Sequence, residues 1–197
     1  MKPKLILIGG GGHCTSCIDV IEQEGQFEIA GIVDSDAAIT SLLGYPVLGN
    51  DNVLQELRSN YEHALITVGQ IRSPAVRIKL FEYVKLLGFS LPTIVSPRAY
   101  VSKHALLGHG TIVMHDVFIN ARATVGENCI INTKALLEHD VNVADNCHVS
   151  TGAIINGGAI IKRGTFIGSN AVTKELVQTK ENDFIKAGAV FKGHSDA

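Results

Sequence analysis

The 197-residue chain has no tryptophan and few other aromatics, 7 Phe and 4 Tyr, although 46% of its residues are hydrophobic. A sizeable core is therefore available, and its bulk is aliphatic. The length fits one domain or two small ones. Basic runs and stripes are missing, and a formal net charge of −2 leaves no electrostatic footprint for nucleic acid or an anionic membrane. Long apolar runs are missing too. The opening "MKPKLILIGGGG" breaks into glycine too early for a signal-peptide core, and no later run approaches a membrane span. A cytoplasmic protein without membrane insertion is expected. Cysteine is scarce, at 4 residues, which without secretion signals reads as reduced thiols rather than a disulfide framework. Cys14 and Cys17 form a C-x-x-C, but no second pair exists to complete a zinc site. Helix packing is expected of them rather than redox chemistry.

What is present is a repeat of six. From Val95, every sixth residue through Ile167 is Ile, Leu or Val: Val95, Val101, Leu107, Val113 and onward through Val149, Ile155, Ile161 and Ile167. With a background of roughly one in four for these types, coincidence is on the order of one in 10^8, so the period is real. A second series of smaller residues follows four places behind each, including Ala123, Cys129, Ala135, Cys147 and Ala153. The frame weakens through "TKELVQTKENDF" and returns at "IKAGAV". Large and small residues alternating in this way predict a β-helix, in which each six-residue unit supplies a short strand and a corner. Three units close one coil of 18 residues. Positions 18 apart then lie above one another at the strand spacing of about 4.8 Å, and the stack is the folding unit. Cys129 and Cys147 are such a pair on the inward series.

Residues 1–90 read differently. "KLILI" is a buried strand followed by "GGGGH" and an amphipathic stretch from Thr15 to Glu24. "EIAGIVD" makes a second strand ending on Asp34, and "HALITVG" a third. Between them, "LLGYPVLG" leads to "NDNVLQELRSN", which reads as helical. The apolar spacing of 73–87 predicts a further helix stopped by Gly88. Strands alternating with helices give a Rossmann-like α/β domain over 1–90, ahead of the β-helix over 91–197. Glycines after the first strand allow phosphates to approach a helix N-terminus. Gly9 and Gly11 begin a G-x-G-x-x-G, but Cys14 occupies its third glycine position, so NAD is not specified.

The repeat resembles the hexapeptide-repeat acyltransferases. With it, "LIGGGGHCTSCIDVIE", "IVDSD", "ITVG" and "LLEHDVNVADNCHVSTGAIINGG" resemble, in order, the sugar-nucleotide N-acetyltransferases of bacillosamine biosynthesis and the related sialic acid O-acetyltransferases. That resemblance implies a left-handed β-helix, a homotrimer with coenzyme between neighbours, acetyl-CoA as co-substrate, and a nucleotide-sugar acceptor. It implies substrate contacts at Gly11, Gly12, His13, Asp34, Ser35 and Gly69. It further implies a general base at His139 oriented by Asp140, and coenzyme contacts at His148, Gly157, Ser169 and Ala187. Asp140 stands where the bacillosamine enzyme has Glu, which shortens its reach and leaves a water bridge, or Glu138, as other means of orienting the ring. Ser35 stands where that enzyme has a second Asp, which bears on base or sugar preference. The resemblance also implies a C-terminal G-x-P-A-[KR] segment that "AGAVFKGHSDA" lacks, so the far end of the coenzyme pocket is expected to be open or built from residues such as Lys186 and Lys192.

A neutral imidazole suits removal of a proton from an attacking amine. By the stacking rule His139 and His148 lie half a coil apart on different sides of the prism, so two protomers are expected to combine them, with Gly157 stacked on His139. His148 is expected to face the thioester carbonyl, where negative charge develops. His104, His109 and His115 read as solvated corners. The expected reaction is acetyl transfer to the amino group of a UDP-linked 4-amino-4,6-dideoxy sugar. O-acetylation of a sialic-acid-type sugar is the alternative. A zinc-dependent carbonic anhydrase is disfavoured: His109, His115 and His139 lie on three sides of the prism, and His104 and His139 are two coils apart, about 10 Å from stacking. No metal is expected. A non-catalytic nucleotide-binding scaffold is the remaining alternative.

Overall fold

The computed structural model describes residues 1–194. Strands β1 (Lys4–Ile8), β2 (Glu28–Val33), β3 (Ser41–Leu42), β4 (Tyr45–Gly49) and β5 (His63–Ile66) form one sheet in the order β3-β4-β2-β1-β5, parallel except for the β3–β4 hairpin. Side-chain alternation along β1 explains the layering. Leu5 and Leu7 pack toward helix α1 (Gly12–Glu24), whereas Ile6 and Ile8 pack toward helix α3 (Ala75–Leu86). A parallel strand buried on both faces reads as the continuous apolar run seen here.

Helix α1 begins three residues before its expected start. Cys14 and Cys17 count as apolar, extending the buried stripe Cys14, Cys17, Ile18 and Ile21 by a turn, and Gly11 serves as its N-cap. Burial raises both thiols, Cys14 to about 11. Neither is a reactive dithiol partner at neutral pH. Two expectations shift at the sheet edge. "LLGYPVLG" is the β3–β4 hairpin, and "NDNVLQELRSN" shrinks to a 3-10 turn (Asp51–Val53) and the single-turn helix α2 (Leu54–Leu57).

The second half is a left-handed parallel β-helix of two-residue strands in three sheets. Register confirms the 18-residue coil: Phe118 pairs with Leu136, Thr124 with Asn142, and Ile130 with His148. Inward positions Ile119, Ile131, Leu137, Val149, Ile155, Ile161 and Ile167 have no solvent exposure. A second requirement also has period six. From Gly110 to Gly188 every sixth residue has positive φ, among them Asp116, Asn128, Asp140 and Asn146. Each corner needs this left-handed turn, which Gly, Asn and Asp adopt most readily.

The inward frame does not weaken after Ile167. Thr173 and Thr179 occupy it, both buried, with hydroxyls that accept from the backbone N–H of Asn156 (3.0 Å) and Lys162 (2.8 Å). Threonine is nearly the shape of valine, and its hydroxyl finds a local partner, so the coil continues.

The two halves share an apolar seam, because α1 packs on Ile94, Ile112 and Ile130 of one β-helix face. A polar strap runs beside it. His115 is not a solvated corner: its Nε2 meets Asp19 Oδ2 of α1 at 2.6 Å, and its Nδ1 meets Ser96 Oγ at 2.7 Å. His104 and His109 are exposed as expected.

Inward and outward leucines should respond differently. Leu137→Ala should lower the unfolding free energy by about 2–5 kcal/mol through a cavity the coil cannot close. Leu106→Ala, at a position 69% exposed, should change it by less than about 0.5 kcal/mol. Urea titration of both variants checks this.

Candidate functional site

Among the clefts of the described residues, three together hold the expected site residues other than Ala187. The first, about 720 Å³, opens at the carboxyl ends of the parallel strands, where ligands of open α/β sheets bind. Gly11, Gly12, His13, Asp34, Ser35 and Gly69 all line it. A Cβ on Gly11 or Gly12 would meet nothing within 4 Å, so these glycines enlarge the cleft rather than relieve a clash. Gly9 differs: at φ 105, a Cβ there would lie 2.8 Å from the Val68 amide nitrogen. Asp34 braces the glycine loop by accepting from the Gly10 amide, and it accepts from the Asp36 amide at 2.7 Å. Asp51, Ile71, Val76 and Lys79 also line this cleft, and no local motif marks them.

The second cleft, about 830 Å³, lies on the β-helix around His139, Asp140 and Gly157, with Arg122, Glu138, Asn156 and Leu176. His139 Nδ1 donates to Asp140 Oδ2 at 2.8 Å, so aspartate reaches the ring without an intermediary. The left-handed turn at Asp140 (φ 62) is the local conformation behind that reach. Asp140 also takes Arg122 Nε on its other oxygen at 2.8 Å. The hydrogen bond from His139, with Arg122 adding, holds the Asp140 carboxyl below its ordinary range. Glu138 is occupied elsewhere, accepting from Asn120 Nδ2 at 2.9 Å. With Nδ1 committed, His139 presents the Nε2 lone pair. Gly157 stacks beneath it, and a Cβ there would come within 2.9 Å of both Cε1 and Nε2.

The third cleft, about 600 Å³, lies where the N-terminal half meets another wall of the β-helix. His148, Ser150, Thr151 and Ser169 line it with Asn132, Thr133 and Phe166. Asn132 and Ser150 stand 18 apart, so the stacking rule could have found them. The second and third clefts share no lining residue. Ala187 lies a coil beyond Ser169, exposed and outside the cleft, and Lys186 and Lys192 line none of the three. The last three residues of "AGAVFKGHSDA" lie outside the described residues. Among the described residues no group of three or more His, Cys, Asp or Glu side chains could hold a metal ion, and no helix is long and apolar enough to cross a membrane.

His148 is buried, and its Nδ1 hydrogen-bonds the main-chain carbonyl of Gln70. Burial, with the Arg77 charge adding and the Gln70 bond opposing, brings its pKa down to about 4. His13 is brought to about 3 by burial, then by Arg77 and His148, and its Nε2 is buried without a partner. Both rings are neutral at pH 7. A carbonyl only accepts, so the His148 proton sits on Nδ1 and Nε2 carries a lone pair. A ring in this tautomer has no hydrogen at Nε2 to give a thioester oxygen, which runs against the expectation that His148 supports the developing negative charge.

A family model described as the PglD N-terminal domain matches residues 4–84. The acetyltransferase domain of PglB from Neisseria gonorrhoeae FA1090 matches with a TM-score of 0.90 and 29% identity, over 98% of this chain and 92% of that one. The same domain in complex with acetyl coenzyme A gives 0.89 and 28%, over 97% and 93%. Perosamine N-acetyltransferase from Caulobacter crescentus, a histidine variant in complex with CoA and GDP-perosamine, gives 0.70 and 30%, over 95% and 92%. No curated protein matches the chain by sequence. A PglD-type N-terminal domain joined to a hexapeptide β-helix, 30% identical over most of its length to a sugar N-acetyltransferase, places this chain in the family of acetyl-CoA-dependent hexapeptide-repeat sugar acetyltransferases.

Proposed function

We propose that the protein transfers acetyl from acetyl-CoA to the amino group of a nucleotide-linked, UDP-type 4-amino-4,6-dideoxy sugar, with His139 as general base and Asp140 orienting it. One observation carries the reading: His13, Gly69 and Ile71 line both the first and third clefts, giving a continuous path from the strand ends to the His148 wall. The nucleotide lies along Gly11, Gly12, Asp34 and Ser35 of the 1–90 domain. Its sugar reaches past His13 to the coenzyme wall of the 91–197 domain at His148 and Ser169. The crystallised complexes of the Neisseria and Caulobacter enzymes with acetyl coenzyme A, CoA and GDP-perosamine support this ligand pair.

The base comes from a neighbouring chain in a homotrimer. His139 and Gly157 stand on a wall that the path does not reach, so one protomer supplies the His148 wall and its partner the His139 wall. An outer column beside the His139 cleft supports the association. Tyr100, Phe118, Leu136, Ile154, Val172 and Val190 are stacked on one outer face, the first two and the last exposed and the middle three half-buried, with Tyr100 and Phe118 stacked at 4.7 Å. Exposed apolar stripes of this kind mark association surfaces. A cytoplasmic location fits this pair of co-substrates.

Incubation with acetyl-CoA and a panel of UDP- and GDP-linked amino sugars and sialic acids, read by mass spectrometry, tests the reading. Acetylation of an amino sugar is expected, and product from sialic acid alone would replace N- by O-transfer. His139→Ala should lower kcat by about 10²–10⁴-fold. Mixing His139→Ala chains with His148→Ala chains should restore part of the activity, and silence from verified mixed trimers would refute a shared site.

Gly157→Ala tests the stacking. A Cβ inside 2.9 Å of the imidazole must displace it, and displacement near 1 Å costs about 10²-fold in rate. The loss should appear in kcat, with an unchanged melting temperature.

A further inference from the structure

We infer that His148 selects an amine over a hydroxyl as the acetyl acceptor, because the Gln70 main-chain carbonyl fixes its Nε2 as a hydrogen-bond acceptor; this rests on the acetyl-transfer reading above and concerns the choice of nucleophile. Two contacts define the tautomer independently. Nδ1 faces a carbonyl, which has no proton to give. Nε2 faces the Asn132 amide nitrogen at 3.3 Å, and that amide cannot be turned round, because its Oδ1 already accepts from the Thr133 N–H at 2.8 Å. Both contacts need the proton on Nδ1. The long Asn132 contact exchanges readily for a shorter bond to a ligand N–H.

The carbonyl itself is held rigidly. Gln70 Nε2 donates to the carbonyls of Asn146 (3.0 Å) and Gly164 (3.4 Å) on two successive β-helix coils. Asn146 accepts from Asn128 Nδ2 at 2.8 Å, and Asn128 Oδ1 in turn accepts from Arg77 Nη2 at 2.7 Å. Arg77, fully buried on α3, donates through Nη1 to the carbonyls of Ile66 (2.9 Å) and Val68 (2.6 Å) at the end of β5. Gln70 is thus a positioning residue, fastened from both halves. Among the described residues, the groups facing His148 are His13, Phe166, Asn132 and the Arg77 charge, with no carboxylate to stabilise a second ring proton.

The chemistry follows from counting hydrogens. An attacking R–NH2 directs its lone pair at the thioester carbon and has two N–H groups left. One meets His139 Nε2 of the partner subunit, the other His148 Nε2. As the C–N bond forms and the C–S bond breaks, the partner's His139 takes one proton and passes it to the departing thiolate, giving the amide and CoA thiol. The second N–H remains in the product. An alcohol has one hydrogen, which the base removes, and its remaining lone pairs then confront the Nε2 lone pair. Sites built to hydrogen-bond a group reject analogues that lack it by large factors.

Two measurements on the full-length protein test this. In protein labelled with 15N-histidine, His148 is assigned by comparison with His148→Phe. Its ring should show Nδ1–H and an unprotonated Nε2 from pH 8 down to pH 5, because the folded pKa of about 4 keeps it neutral there. Protonation at Nε2 in this range overturns the inference. With acetyl-CoA, wild type should prefer a UDP-linked 4-amino-4,6-dideoxy sugar to its 4-hydroxyl counterpart, and His148→Phe should narrow that preference at least about tenfold. An unchanged preference in the variant overturns the inference even if the tautomer is as expected. Should His148→Phe not fold, Asn132→Leu serves for the assignment, by the shift it causes at Nε2, and His148→Gln serves for the preference. Normal turnover beside a ring protonated at Nε2 defeats this inference alone. A wild type that acetylates no sugar defeats the acetyl-transfer reading, and the selection with it.

Discussion

Every functional position on the β-helix depends on the hydrogen-bonded stacking of residues 18 apart. A short strand pairs with the strands one coil below and above, and only the inward aliphatics and the left-handed corners keep each coil at the same length. The constraint is strict because a slip of one residue along a strand would turn the inward side chains of that strand outward. It makes the prism a ruler. His139 is fixed above Gly157, Asn132 in line with Ser150, and Asn128 in line with Asn146, whose side chains join at 2.8 Å. Function is added to columns whose geometry the core has already determined.

The joint between the halves converts that ruler into a site. An apolar seam along α1 would hold the domains together but could allow sliding, since hydrophobic contact is not directional. The bonds from Arg77 through Asn128 and Asn146 to Gln70 are directional. Burying a guanidinium among carbonyls is costly, and burial brings Arg77 down to about 10, still cationic at neutral pH. What the cost secures is placement of residues 68–71, which border two clefts at once.

The sequence made the β-helix legible because its signal is repeated thirteen times, and it drew attention to Gly11, Gly12, His13, Asp34, Ser35 and Gly69, which all line one cleft, because they lie on motifs at strand ends. Less visible were features carried by single residues or by backbone. Thr173 and Thr179 looked like a break in the frame, because a hydroxyl reads as polar until its partner N–H is known. The β3–β4 hairpin is too short for periodicity to register. His115 resembled any exposed corner, since Asp19, 96 positions earlier, is its partner only in three dimensions. Gln70 left no trace at all, because the relevant atom is its main-chain oxygen, which every residue possesses.

The two histidines that share one motif illustrate how environment divides roles between identical side chains. Each has its Nδ1 hydrogen committed, so each offers a lone pair at Nε2. His139 leans on an ionised carboxylate in the open, and when its Nε2 takes a proton the new positive charge is neutralised at once by Asp140. His148 leans on a neutral carbonyl, buried near the Arg77 charge, where a second proton is unfavourable. One ring can therefore accept the proton and the other can only hold it in a hydrogen bond. Had both partners been carboxylates, either ring could serve as base and neither would discriminate. The asymmetry between a side-chain anion and a backbone dipole is what suits one imidazole to the proposed role of base and the other to the proposed role of judging the nucleophile.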